Sequence, residues 1–373
     1  MAMVLNEEAG MLKDAARGYL KASAPVSQLR KLRDSGSEDG FDRKTWADMA
    51  EMGWTGVIIP EAYGGSDFGY LSLGLVLEET GRTLTASPLG ATALAATSAL
   101  LLGGSEAQKE AWLPKIATGE TIAALAVDEG PRHDPSKIEA KAEKSGDGWV
   151  LSGEKAFVAE GDSAHLFIVA AQTGEGVGLF LVPGDAAGIT RKSRNMVDAR
   201  SHAAVSFDGV TLGGDALIGS ADGADLLDQV LDRARAGVAA EMLGMAVQAF
   251  EDTLAYLKTR EQFGVAIGSY QALQHRMVDT MMAYEQSKSL LFKALCEYKQ
   301  EPAMAAETVH ALKVLIDRNG KHVFGEAIQM HGGMGMTDEL DIGHFAKRLM
   351  MINTTFGDAT YHRNRYIETA YAA

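Results

Sequence analysis

From Asn6 to about Thr118, apolar residues recur three and four positions apart, the period of a helix with one buried face. "NEEAGMLKDAARGYLKAS", "RKTWADMAEMGW" and "YLSLGLVLEETGRTL" read as helices, and "PEAYGGSDFG" punctuates them. From Ile122 to about Leu217 the period falls to two. "KIEAKAEKSGDGWVLSGEKAFVAEG" predicts two strands around a Gly-Asp-Gly turn, "HLFIVAAQTGEGVGLFLVP" a hairpin, and "HAAVSFDGVTL" a further strand. Beyond "GSADGAD" the helical period returns in long runs. Ala224 to Lys258 contains no proline and would reach roughly 50 Å at about 1.5 Å per residue. Met277 to Gln300 and Ala303 to Gln329 repeat the habit, the second stopped by "HGG". The order is therefore a helical domain over 1–121, a β-sandwich or barrel over 122–217, and a four-helix-type bundle over 218–373, an α+β chain. Bundle helices of this length leave faces broad enough to pack on a second copy.

Composition narrows the function classes. Charged residues make up 23% and hydrophobic ones 46% of 373 residues, the balance of an ordinary globular chain. No apolar run is long enough to span a bilayer, and the N-terminus is acidic where a secretory signal would be basic, so a cytoplasmic protein is expected. A net charge of -15 argues against nucleic acid as a partner, and any anionic ligand would need local cations. One cysteine, Cys296, excludes an internal disulfide, and nine histidines lie without tight ligand spacing, so no metal site is expected.

Two stretches carry chemistry. In "YLKTREQFGVAIGSYQALQH" (256–275), Arg260 offers a planar cationic fork for a phosphate, Gln262 a neutral hydrogen-bonding group, Phe263 a flat face and Gly264 room for close approach. On spacing alone an ordinary helix connection explains it as well. In "TTFGDATYH" (354–362), Asp358 reads either as the N-cap of a following helix or as a general base.

These stretches resemble the flavin-dependent acyl-CoA dehydrogenases. The family's Arg-x-Gln-Phe-Gly-x-x-Ile loop is matched by Arg260, Gln262, Phe263, Gly264 and Ile267, and its aromatic-Gln pair by Tyr270 and Gln271. Its Gln-x-x-Gly-Gly-x-Gly stretch is matched from Gln329 in "QMHGGMGMTDE". "GWTGVIIPEAYGG", "VLEETGRTLTASPL", "GSEAQKEAWLPKIATGE" and "WVLSGEKAFV" look like further family signatures in the expected order, so the resemblance spans nearly the whole chain.

The resemblance implies oxidation of an acyl-CoA to a 2-enoyl-CoA by FAD, with electrons passed to an electron-transfer flavoprotein. It implies a homotetramer or dimer, or an α2β2 heterotetramer with a sister subunit. Arg260, Gln262, Phe263, Tyr270, Gln271, Gln329, Met330, Gly332 and Gly333 would contact another protomer's FAD, and Phe157, Val158 and Ala159 would line the flavin ring. Arg235, Asp232 and Gly357 would contact substrate.

Two departures stand out. Where most relatives carry Tyr-Glu-Gly-Thr, this chain has "FGDAT", which puts Gly357 at the glutamate position and makes Asp358 the expected catalytic base. The base position that a minority of relatives use is Ala234, and Glu241 lies two turns further on, expected to pair with a nearby charge. Where relatives carry flavin-binding hydroxyls, this chain has "VDEGPRHDP" and Ala159. A non-catalytic or half-site partner subunit is the alternative these departures raise.

Overall fold

A computed structural model of the protein describes residues 5–300 and 302–371; the first four residues of the acidic N-terminus lie outside them. Six helices come first: α1 (Glu7–Ser23), α2 (Val26–Ser35), α3 (Arg43–Glu51), α4 (Gly69–Arg82), α5 (Thr97–Gly103) and α6 (Glu106–Ala117). Their starts follow local chemistry. Asn6 accepts from the amide of Ala9 at 2.9 Å, Asp42 from that of Thr45 at 2.7 Å, and Ser105 with Gln108 forms a reciprocal capping box.

Eight strands follow: β1 (Ala123–Ala126), β2 (Lys141–Ser145), β3 (Gly148–Ala159), β4 (Leu166–Gln172), β5 (Val177–Pro183), β6 (Ile189–Asn195), β7 (Ser201–Leu212) and β8 (Leu217–Ile218). They run in the order β6-β7-β3-β2-β4-β5-β8, with β1 parallel to β4. Only one residue pair, Lys141 with Gln172, joins the β6-β7-β3-β2 half to the β4 half. The halves are held instead by side chains: Trp149 meets Phe180 edge-on at 5.2 Å and Phe167 meets Phe207 at 6.1 Å. β6 escaped the sequence pattern because "ITRKSRN" carries three cations and buries no residue fully.

The long helices are α7 (Ala224–Thr259), α8 (Gln271–Gln300), α9 (Pro302–His331), α10 (Ile342–Ile352) and α11 (Ala359–Ala370). Between α7 and α8 lies a miniature hairpin of β9 (Glu261–Gln262) and β10 (Val265–Ala266).

The chain groups into two compact units. One holds Leu29–Leu73 and Ala86–Ala234, with the sheet, α3, α5 and α6. The other holds Met1–Gln28, Gly74–Thr85 and Arg235–Ala373, so α1 and most of α4 join the bundle. Ion pairs and a buried amide tie that bundle together. Lys13 reaches Glu78 at 2.7 Å, Arg17 makes a forked contact with Glu79, and Asn319 on α9 donates to the Ala283 carbonyl of α8 at 2.7 Å. No helix among the described residues is long and apolar enough to cross a membrane.

Candidate active site

The bundle unit brings two distant motifs together. Arg260 follows α7, and its carbonyl accepts from the amide of Ile267 at 2.8 Å, which closes the base of the β9–β10 hairpin. Phe263 and Gly264 form the tip, both with positive φ (+56° and +81°). A two-residue turn of this hand suits a hairpin, but an aromatic residue there is under backbone strain. Phe263 is nevertheless 91% exposed, so no packing inside the chain compensates it. The Gln329 stretch meets the base of this loop: the His331 ring lies 4.4 Å from that of Tyr256, one turn before Arg260, and Met330 packs with Leu257 and Met277. Arg260, Gln262, Tyr270, Gln271, Gln329, Gly332 and Gly333 are all exposed. Met330 is turned into the core at 6% exposure, so it can offer a nucleotide only its main chain.

A second constellation surrounds residues 352–362. Phe356 and Gly357 also have positive φ (+56° and +111°). Arg235, fully buried, donates from Nε to the Phe356 carbonyl at 3.0 Å and from Nη2 to the Tyr361 hydroxyl at 3.1 Å, with its guanidinium 5.4 Å above the Tyr361 ring. A Cβ at Gly357 would stand 2.4 Å from the Tyr361 ring and 2.8 Å from His362 Nε2. Gly357 is therefore closed to a side chain in this packing. Asp358 is the N-cap of α11, its Oδ1 accepting from the Tyr361 amide at 2.8 Å, and it is exposed. Capping occupies one lone-pair site of a carboxylate that has about four, so it does not by itself remove the group as a proton acceptor.

Beneath this turn lie groups that sequence reading did not single out for chemistry. His310 and His362 share a hydrogen bond between their Nδ1 atoms at 2.9 Å. Burial, and then the charges of Arg235 and Arg365, push His310 down to about 3, so it is neutral. Lys313 is 2% exposed and donates to the Ile352 and Thr355 carbonyls at 3.2 and 3.1 Å. Burial, and then Arg235, lower it to about 7. The only sequence signal for Lys313 is a cation on the apolar face of "ALKVLI". Glu241 is a forked ion-pair partner of Arg348, both bonds 2.9 Å, and Ala234 and Asp232 are buried.

In the sheet unit, the acids of the "VDEGPRHDP" loop serve the loop itself. Asp128 bonds His133 at 2.7 Å. Glu129 accepts from the amides of Glu139 and Ala140 and from buried Lys155 at 2.6 Å, and Lys155 also donates to the Val127 carbonyl. Burial lowers the Lys155 pKa, and Glu129 works in the opposite direction. A cavity of about 590 Å³ here is lined by Glu129, Glu139, Glu154, Phe157 and Arg194. Three carboxylates suit it poorly to a pyrophosphate. Phe157, 41% exposed, still offers a ring face, while Val158 is buried and Ala159 has no hydroxyl to donate. The phosphates of a flavin nucleotide thus fit the exposed Arg260 face and not this loop.

Comparison with known proteins identifies the family. Residues 6–120, 124–210 and 221–370 match, in turn, the N-terminal, middle and C-terminal domains of acyl-CoA dehydrogenase. Acyl-CoA dehydrogenase FadE12 of Mycobacterium tuberculosis is 31% identical over 353 residues, 91% of this chain and 90% of its own length. Among solved structures, a variant of the Tcur3481-Tcur3483 steroid ACAD is 30% identical with a TM-score of 0.90 over 98% of each chain. A chain solved in work on the electron transferring flavoprotein of Acidaminococcus fermentans is 26% identical with a TM-score of 0.93 over the whole of both chains. With all three domains matched in order, the chain belongs to the acyl-CoA dehydrogenase family, oxidoreductases whose cofactor is FAD.

Proposed function

We propose that this chain is a subunit of an assembly that oxidises an acyl-CoA thioester between Cα and Cβ, and that its Arg260 face holds the nucleotide end of FAD bound to another protomer. The observation that carries this is the joining of the Arg260 hairpin to the Gln329–Gly333 stretch through Tyr256 and His331, with its strained aromatic tip left outside the chain's own packing. Exposed Tyr270, just before α8, and Val278, Met281 and Met282 on it extend that face with apolar area suited to a second subunit, the arrangement of a tetramer. Bound FAD supplies the hydride acceptor for Cβ. The chain must then supply a carboxylate that takes the α-proton, and Asp358, at the head of α11, is the group assigned to it. Arg235 and Asp232 flank the base position used by a minority of relatives and complete the proposed substrate contacts, with the Gly357 main chain beside Asp358. An electron-transfer flavoprotein is the proposed acceptor, in keeping with the Acidaminococcus fermentans relative.

A second reading has an observation of its own. Gly357 is closed to side chains, Asp358 is engaged by the Tyr361 amide, and the hydroxyl of the flavin-lining triplet is absent at Ala159. These favour a half-site subunit that completes the flavin site of a sister chain, as in a heterotetramer. The Tcur3481-Tcur3483 relative, named for two components, is consistent with it.

Purification of the chain alone separates the two. A yellow homo-oligomer bleached anaerobically by an acyl-CoA from a panel of straight-chain, branched, aromatic and steroid thioesters establishes the first. A colourless protein that takes up flavin only with a sister subunit establishes the second. Within the first, Asp358→Asn abolishes bleaching with flavin retained; an unchanged reduction rate removes Asp358 from the mechanism.

A further inference from the structure

Lys313 sits on α9 with its side chain inside the bundle unit, and its Nζ reaches two carbonyls of one short segment, Ile352 and Thr355. The carbonyl of the next residue, Phe356, is held by Arg235. Two buried basic side chains thus hold three of the five carbonyls between 352 and 356, in the link that ends on Asp358. The charges acting on Lys313 are Arg235 from α7, Asp317 one turn on along α9, and Asp358 at the head of α11. His310, one turn earlier on α9, is joined to His362 of α11, and α10 meets the Lys313 Nζ through the Ile352 carbonyl.

We propose that Lys313 is the positioning residue of the Asp358 turn and that proton uptake by Lys313 loosens this turn. A neutral amine still carries two hydrogens, one for each carbonyl, so the closed turn keeps both bonds without burying a charge. Opening the turn to water returns the amine to ordinary solvation. Burial lowers the ammonium to about 7 against an ordinary value of 10.5. The sign follows from linkage. Between those two values the open turn binds a proton that the closed turn does not, so opening becomes harder as pH rises, by up to about tenfold per pH unit. Below about 7 both states are protonated and the dependence disappears. The consequence for catalysis rests on the reading of Asp358 as base; the device itself does not.

Hydrogen exchange on the full-length protein, read from pH 6.5 to 9.5 and corrected for intrinsic exchange, tests this directly. The amides of Asn353, Thr355 and Gly357, bonded to the carbonyls of Leu349, Met351 and Thr354, report the turn. Their opening constant should fall about fiftyfold from pH 7 to pH 9. The Ile267 amide in the Arg260 hairpin, which can open without exposing Lys313, should show no such trend. In Lys313→Gln the dependence should vanish. A wild-type turn whose protection is independent of pH overturns the proposal, as does a Lys313→Gln variant that keeps the slope. If that variant does not fold, the wild-type series alone still decides. None of these outcomes depends on whether Asp358→Asn retains flavin bleaching, so the base reading and this one can fail separately.

Discussion

The chain places the same dipeptide at positive φ twice. Phe263–Gly264 and Phe356–Gly357 each place a phenylalanine at φ +56° followed by a glycine of positive φ. At the first, the hairpin main chain alone maintains the shape, Phe263 is 91% exposed, and a Cβ on Gly264 would meet nothing within 4 Å. At the second, Arg235 and Lys313 hold the carbonyls, and a Cβ on Gly357 would enter the Tyr361 ring. Strain alone therefore says little about a role. What separates the two turns is where their side chains and polar groups are used: outward at 263, which suits a partner's cofactor, and inward at 356, which fixes the residue that follows.

The comparison can be broken at several strengths. Gly357→Ala adds overpacking to an unfavourable φ, so a loss of about 2–4 kcal/mol is expected in urea unfolding. A loss below about 1 kcal/mol would mean the second turn is as open as the first. Arg260→Ala removes a charge-assisted phosphate contact, on the order of 1.5–3 kcal/mol, and should weaken flavin retention roughly tenfold to a hundredfold while leaving the unfolding midpoint in place. Full flavin absorbance after long dialysis would deny the outward role.

The buried side of the comparison also carries a pH signature. His310 is held neutral, its pKa lowered to about 3 from the ordinary 6.5. As pH falls below 6.5 the unfolded chain takes up this proton first, so stability should decline by up to about 1.4 kcal/mol per pH unit. His310→Asn should flatten that slope, and an equal slope in wild type and variant would place the titration elsewhere. Gly264→Ala meets strain but no clash and should cost only about 1 kcal/mol. Asp358→Asn should be the smallest, within about 0.5 kcal/mol, because asparagine caps a helix as well as aspartate does. A larger fall in its thermal unfolding midpoint would mean that the carboxylate charge itself holds the turn.

Much of this was legible along the chain because it is local. Helix and strand periods, the N-cap at Asp358, and the hairpin turn between β2 and β3 all depend on residues a few positions apart. The motifs in "TREQFGVAIGSYQ" and "QMHGG" carried the family and the cofactor. β6 was not legible because its strand carries three cations and buries no residue fully, so no apolar alternation marks it. The inward turn of Met330 was not legible either, because its neighbours Leu257 and Met277 are remote in sequence.

Sequence by itself determined the succession of helices, strands and helices, the family, and the place of the cationic Arg260 loop, since each is written in short-range spacing. Only the tertiary structure decided that Tyr361 and His362 close the Gly357 position, that Glu129 is consumed by Lys155, and that Lys313 lies buried under the Asp358 turn. The physical reason is common to all three. A side chain's charge and reach are properties of its type, but the water it loses and the atoms it meets are set by residues brought beside it from distant elements.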